Sequence, residues 1–285
     1  MRIDVLALDG VFDTGLTALL DVFSTGNELS GGKQPLRVRT VGVRHRVRTD
    51  LGLLVPVQPI DDRDPPDVMV APALGTKMPP ALEAALQRRD VRDAVELLRD
   101  RSSQGTRMAA ACTGTFMLAA SGALDGRRAT TTWWLAPFFR QLYPQVQLDE
   151  SRMLVPTGQV VTAGAALAHL DLALWILRQH SPSLANLVAR YLMIDERPSQ
   201  AAYVISDHLA HADPLIERFE RWARAAREGL LADRSGALRR RQRTHAGATP
   251  APRVGQDAAV VLPRPAYRAR GASAADRHGE RGLHR

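Results

Sequence analysis

The chain of 285 residues contains one cysteine, Cys112. A single thiol excludes an internal disulfide framework and a multi-cysteine zinc site. Aromatic residues are scarce, at 5% of the sequence. No apolar run approaches the roughly 18 residues of a membrane span, so no membrane partner is expected. The N-terminal stretch MRIDVLALDG carries acids at Asp4 and Asp9 and no small-residue cleavage site. It does not read as a signal peptide, and the expected location is the cytoplasm. What remains is ordinary: hydrophobic content of 45% and charged content of 24% suit a globular chain of one large or two smaller domains.

The formal net charge of +8 invites a nucleic-acid reading until it is located along the chain. Residues 1–226 hold 25 basic and 25 acidic side chains, so this part is neutral. Residues 227–285 hold 13 arginines, no lysine and five acids, so the whole excess sits there. The pI of about 10.6 therefore describes a tail rather than a fold.

Strands and helices alternate along residues 3–192. Ile3–Leu8 reads as a strand ending at Asp9-Gly10, and Leu16, Leu19, Leu20 and Phe23 recur at helical spacing to about Leu29. Leu36–Val43 alternates as a half-buried strand, and Asp67–Ala71 is a buried-type strand entering the loop Pro72–Pro80. One long helix is expected over Ala81–Arg101, then a strand at Arg107–Ala111 and a helix over Thr113–Ser121. A strand at Val160–Ala163 and helices over Ala165–Gln179 and Ser183–Leu192 follow. The pattern predicts an α/β fold, a parallel sheet covered on both faces. Asp213–Ala226 reads as an amphipathic helix, with Pro214 in its first turn. Beyond it the Arg, Ala, Gly and Pro composition keeps no apolar period, and disorder is expected.

Ala110-Ala111-Cys112-Thr113-Gly114-Thr115 places Cys112 where a strand turns sharply into a helix, the arrangement of a nucleophile elbow. A helix N-terminus favours a thiolate, whereas a buried lone cysteine is inert; both readings stand. A thiolate nucleophile needs a base, and Thr113 follows Cys112 where an adjacent histidine is absent. His169 reads either as a residue approaching the sheet edge or as a satisfied helix histidine near Trp175. Asp13 lies just past the first strand, where it suits either a ligand or thiol contact or a helix N-cap. Gly75, in the Pro72–Gly75 loop, could offer its N–H to an anionic or carbonyl ligand. The aromatic cluster of Trp133, Trp134, Phe138 and Phe139 is better explained by packing than by ligand stacking.

Several blocks resemble a known family. Ala111-Cys112-Thr113-Gly114-Thr115-Phe116-Met117-Leu118-Ala119, Ala123 through Thr131, Val161 through Ala165 with Asp171-Leu172-Ala173-Leu174, and Ala189 through Gln200 closely resemble the sensor domain of GlxA-type AraC-family transcriptional regulators. Those domains belong to the ThiJ/PfpI branch of the class I glutamine-amidotransferase-like superfamily. The resemblance covers about residues 2–226. It implies a flavodoxin-like three-layer sandwich over 1–182, a helical linker over 183–226 and a DNA-binding helix-turn-helix domain beyond. It also implies a small-molecule effector, no cofactor or metal, a homodimer, and DNA as the partner in the parent family. The family pattern Ala-Thr-Thr-His-Trp reads Ala129-Thr130-Thr131-Thr132-Trp133 here, so Thr132 stands where the histidine would be. With neither base present, a pocket formed by Asp13, Gly75, Cys112, Thr113 and Thr132 that binds without hydrolysis is the leading expectation.

The helix-turn-helix units that should follow are absent from residues 227–285 as read. With GC-rich codons and a one-base shift, Leu230-Leu231-Ala232-Asp233 becomes FSLT. The stretch to Arg243 then permits FSLTGRARSVGASERT, and Val260 onward permits LSYFHDLRIERA, both similar to AraC-type domains. The expectation is a regulator whose DNA-binding domain is lost or out of frame. An alternative is a cofactor-independent hydratase, hydrolase or glyoxalase-like enzyme using Cys112 and Asp13. A third is redox sensing at Cys112, limited to an oxyacid or mixed disulfide.

Overall fold

The computed structural model describes residues 1–32, 35–44 and 46–205. The expected helix over 213–226, the tail at 227–285 and the linker beyond residue 205 lie outside the described residues.

In chain order the elements begin with β1 (Arg2–Leu6), α1 (Asp13–Leu29), β2 (Arg37–Val41) and the hairpin β3 (Arg46–Arg48) and β4 (Leu54–Pro56). They continue with β5 (Val68–Ala71), α2 (Pro79–Leu86), α3 (Arg89–Ser103), β6 (Arg107–Ala111), α4 (Gly114–Ala120), β7 (Arg128–Ala129), α5 (Ala136–Leu142) and β8 (Gln147–Leu148). Last come β9 (Leu154–Thr157), β10 (Val160–Ala163), α6 (Ala168–His180) and α7 (Pro182–Tyr191). Six strands form one sheet in the order β2-β1-β5-β6-β10-β9. All pairs in it are parallel except β10 with β9.

The two faces of the sheet are written in its period of two. Ile3, Val5, Val68, Val70, Ala109 and Ala111 point to one face, where α1, α6 and α7 supply Leu16, Leu19, Phe23, Leu172, Ile176 and Val188. Leu6, Met69, Ala71, Met108 and Ala110 point to the other, against Leu82, Val91, Leu98, Phe116 and Phe139 from α2 to α5. Burying each such side chain is worth about 1.5–3 kcal/mol, so both layers are held by apolar area. Asp4 is the exception inside β1. It is 2% exposed, and Arg39 of β2 clamps it with Nε and Nη2 at 2.7 and 2.9 Å.

The α/β three-layer reading holds, and four local expectations are corrected. The helix expected over Ala81–Arg101 is two helices, α2 and α3, because Arg88 is extended and donates to Asp9 O at 2.6 Å and to Asp90. The helix expected from Ala165 begins at Ala168, since residues 164–167 form a loop. The sheet carries an antiparallel edge strand, β9, that periodicity did not reveal. The β3–β4 hairpin over a stretch given no element is the fourth; Gly52 at φ +90 permits its turn.

Candidate functional site

The chain runs from β1 to β2 on one side and then to β5 on the other, so β1 and β5 flank a topological switch point. In open α/β sheets the crevice beyond the strands' carboxyl ends at such a point receives ligands. The loops that follow β1, β5, β6 and β10 meet there. Phe12 N–H donates to Ala73 O at 2.8 Å, Thr113 Oγ1 to Leu74 O at 2.8 Å, and Cys112 N–H to Ala163 O at 3.0 Å.

Cys112 occupies the turn from β6 into α4 with φ of +54°. A non-glycine residue there costs about 1–3 kcal/mol, so the surrounding bonds must hold it. Thr131 Oγ1 donates to Cys112 O at 2.7 Å, and Thr115 N–H reaches the same carbonyl at 3.2 Å. The next helix starts so close to β5 that a Cβ on Gly114 would lie 2.2 Å from Ala71 O. Ala166, whose own φ is +35°, aims its N–H at the sulfur from the opposite wall. Burial pushes the thiol pKa up; the Ala166 and Thr113 amides and the Thr132 and Thr113 hydroxyls pull the other way without reversing it. The thiol is therefore protonated at neutral pH. Among the groups acting most strongly on it, none is a base.

Asp13 is the first residue of α1, not its N-cap, and is 7% exposed. One carboxylate oxygen accepts the Leu51 N–H at 2.9 Å, and the other is buried with no partner. The N-cap alternative is thereby corrected: the carboxylate turns away from its own helix. Leu51 belongs to the β3–β4 hairpin, whose tip lies across the rim. Asp50 N–H donates to Val11 O at 3.0 Å, and the Asp50 side chain covers Gly75, where a Cβ would fall 2.2 Å away. The Gly75 N–H, expected to face a ligand, donates to Gly10 O at 2.7 Å. Gly75 is thus a point of close approach rather than a donor.

Thr132 is fully buried, and its hydroxyl acts on the sulfur without making a full hydrogen bond to any atom. The Thr115 hydroxyl is likewise buried without a partner. His169 is fully buried. Its Nε2 accepts the Ala73 N–H at 3.1 Å, which fixes the tautomer so that Nδ1–H donates to Ala166 O at 2.5 Å. Burial lowers its pKa to about 4. Both nitrogens are occupied, so His169 braces two loops and has no free lone pair for a proton. Gly15 makes room for the ring: a Cβ there would meet Nε2 at 2.7 Å.

The aromatic cluster is core. Phe116 meets Phe139 edge-on at 4.9 Å and stacks on Phe138 at 5.9 Å, while Trp134 Nε1 donates to Lys77 O at 3.0 Å. A cleft of about 770 Å³ between α6, α7 and residues 194–198 has none of Cys112, Asp13 or Thr132 in its walls. Among the described residues, no three His, Cys, Asp or Glu side chains converge as a metal site. No helix among them is long and apolar enough to cross a membrane.

A strained cysteine at the strand-to-helix turn of a doubly covered sheet defines a class, and the DJ-1/PfpI family profile matches residues 1–179. The chain belongs to the DJ-1/PfpI family. Over 108 residues it is 33% identical to the HTH-type transcriptional regulator CdhR of Pseudomonas aeruginosa, covering 37% of this chain and 32% of that regulator. Over 86 residues it is 29% identical to an isonitrile hydratase of Pseudomonas putida, covering 30% of this chain and 36% of the enzyme. Each match spans about a third of the relative's length. The fold is similar to the crystal structure of an AraC family transcriptional regulator from Pseudomonas putida, with a TM-score of 0.57, 19% identity and coverage of 67% of this chain and 98% of that one. Regulators among the relatives, GlxA of Rhizobium meliloti included, agree with the family resemblance read from the sequence.

Sequence reasoning missed the Leu51 amide, the Ala166 amide and the bracing role of His169. Backbone donors have no residue-type signal. The hairpin had one, in the Arg46–Arg48 alternation and the Asp50–Gly52 turn.

Proposed function

We propose that residues 1–182 are the effector-sensing domain of a transcriptional regulator, with a pocket at Cys112 that binds without turning over. The observation that carries this reading is the sulfur's surroundings: the Ala166 and Thr113 amides and the Thr113 and Thr132 hydroxyls would orient a ligand, around a thiol whose burial disfavours the thiolate. The unpartnered oxygen of Asp13 and the Thr132 hydroxyl call for a small polar ligand that brings a donor to the carboxylate. Cys112 and Thr113 form the floor, and Gly75 lets the hairpin close over it. Residues 183–226, whose first part packs on the domain through α7 and Gln200, lead towards a DNA-binding domain, and the domain works as a homodimer. The test is thermal-shift screening of small polar metabolites against wild type, Asp13→Asn and Thr132→Val. A ligand that stabilises wild type and loses that effect in both variants supports the reading; equal shifts in all three contradict it.

We infer further that residues 227–285, with 13 arginines and no apolar period in their sequence, bind DNA non-specifically and with strong salt dependence. Gel-shift competition against random DNA checks this, and a marked site preference would refute it. The second reading is a cofactor-independent enzyme, favoured by the elbow geometry of Cys112 and the identity shared with an isonitrile hydratase. Turnover of an isonitrile that vanishes in Cys112→Ala would establish it over the sensor reading.

A further inference from the structure

The motif Asp195–Gln200 is used by neither the sheet nor the pocket floor, yet its last side chain is 1% exposed. Gln200 turns its carboxamide into the domain. Oε1 accepts the Ala165 N–H at 3.1 Å, and Nε2 donates to Thr131 O at 2.8 Å, Thr130 Oγ1 at 3.2 Å and Arg152 O at 3.2 Å. Gly164 lies against it, where a Cβ would stand 2.5 Å from Oε1. The two loops it joins are the two that wall in Cys112. One brings the Ala166 amide to the sulfur; the other brings the Thr131 hydroxyl to Cys112 O and Thr132 to the sulfur.

The segment carrying Gln200 is also tied down around it: Gln200 N–H donates to Ser151 O at 2.9 Å, Arg197 Nη2 donates to Leu167 O at 2.9 Å, and Ser199 bridges Arg152. Arg197 Nη2 donates to Asp171 at 2.5 Å, Ser199 Oγ donates to Ser151 O at 2.7 Å, and Met153 N–H donates to Pro198 O at 3.3 Å. Around Gln200 itself half-measures are costly. Each buried polar group left unpaired costs about 1–3 kcal/mol, which favours a carboxamide either fully seated or withdrawn to water.

We propose that Gln200 couples the Cys112 pocket to the segment Arg197–Gln200. A group that enters the pocket and shifts Thr130–Thr132 or Ala165–Ala166 unseats Gln200, and unseating Gln200 opens the pocket. The chain continues from this segment towards residue 206 and beyond, so the latch joins the pocket to whatever follows. The proposal deepens the sensing reading of the same pocket. Its test uses a thiol reagent in place of an effector, so the two readings fail separately.

Cys112 is the sole thiol, so iodoacetamide alkylation of the full chain reports one site. Gln200→Ala should be alkylated about tenfold faster than wild type or more, within the range usual for coupled sites. Gln200→Glu should also react faster, because its carboxylate would face the carbonyls of Thr131 and Arg152. Val91→Ala, in the opposite helical layer, should stay near the wild-type rate. Reciprocally, alkylated wild type should exchange amide hydrogens faster at residues 197–203 and unchanged in α3. Equal rates in wild type and both Gln200 variants, or an equal rise in Val91→Ala, would overturn the coupling. So would unaltered exchange at 197–203. Should the Gln200 variants not fold, the exchange measurement on wild type decides alone.

Discussion

His169 Nε2 accepts the Ala73 N–H at 3.1 Å, so a neutral imidazole ties the loop after β5 to the loop after β10. A protonated ring would lose that acceptor, which makes the brace sensitive to acid. The ring titrates near 6.5 when unfolded and at about 4 in the fold, lowered by burial. Its stabilising effect is therefore complete above pH about 6.5 and drains away as pH falls towards 4, to a total of roughly 3 kcal/mol. Urea unfolding of wild type and His169→Gln across this range checks it. The variant should show a shallower loss; matching slopes would contradict the assignment.

The Cys112 thiol should alkylate slowly at pH 7, with a rate still climbing at pH 9, because burial holds its pKa above the ordinary value of 9.0. A plateau below pH 7 would mean an activated thiolate and would favour the enzyme reading.

Gly114→Ala should cost about 3 kcal/mol or more, since the new methyl meets the backbone carbonyls of Ala71 and Pro72 at 2.2 and 2.6 Å. Gly31→Ala, at φ +58 with open space around it, should cost only about 1 kcal/mol through backbone strain. Chemical denaturation of both separates crowding from strain.

Arg39→Met should destabilise by about 3–5 kcal/mol, because it strands the Asp4 carboxylate inside the sheet. Adding Asp4→Leu should recover most of that loss. A double variant no more stable than the single one would show that the pair is not the cause.

The coding DNA beyond Ala226 should, in one alternative frame, encode an AraC-type helix-turn-helix peptide. Its absence from both alternative frames would remove the frameshift account of the arginine-rich stretch.

Short, nearly continuous apolar runs at Ile3–Leu6, Val68–Ala71 and Arg107–Ala111 made the sheet legible, and small residues around Cys112 made the turn legible. The break at Arg88 was hidden because it depends on a distant carbonyl, Asp9 O, that the local pattern does not contain. Asp13 was found by position, while its true partner sits 38 residues away in a hairpin with weak alternation. Gln200 carried only a motif resemblance. Its role rests on four contacts with residues far from it in the chain.

At each margin of the six-stranded sheet one end is met by the chain itself. Thr40–Gly42, at the C-terminal end of β2, pairs with Gln58, and Arg152 just ahead of β9 bridges Ser199, with Pro156 withholding a donor within β9. These pairings shorten the free ladder that either edge could offer a neighbour. A contact between copies written in side chains instead would be open to tuning by single surface substitutions without disturbing the sheet.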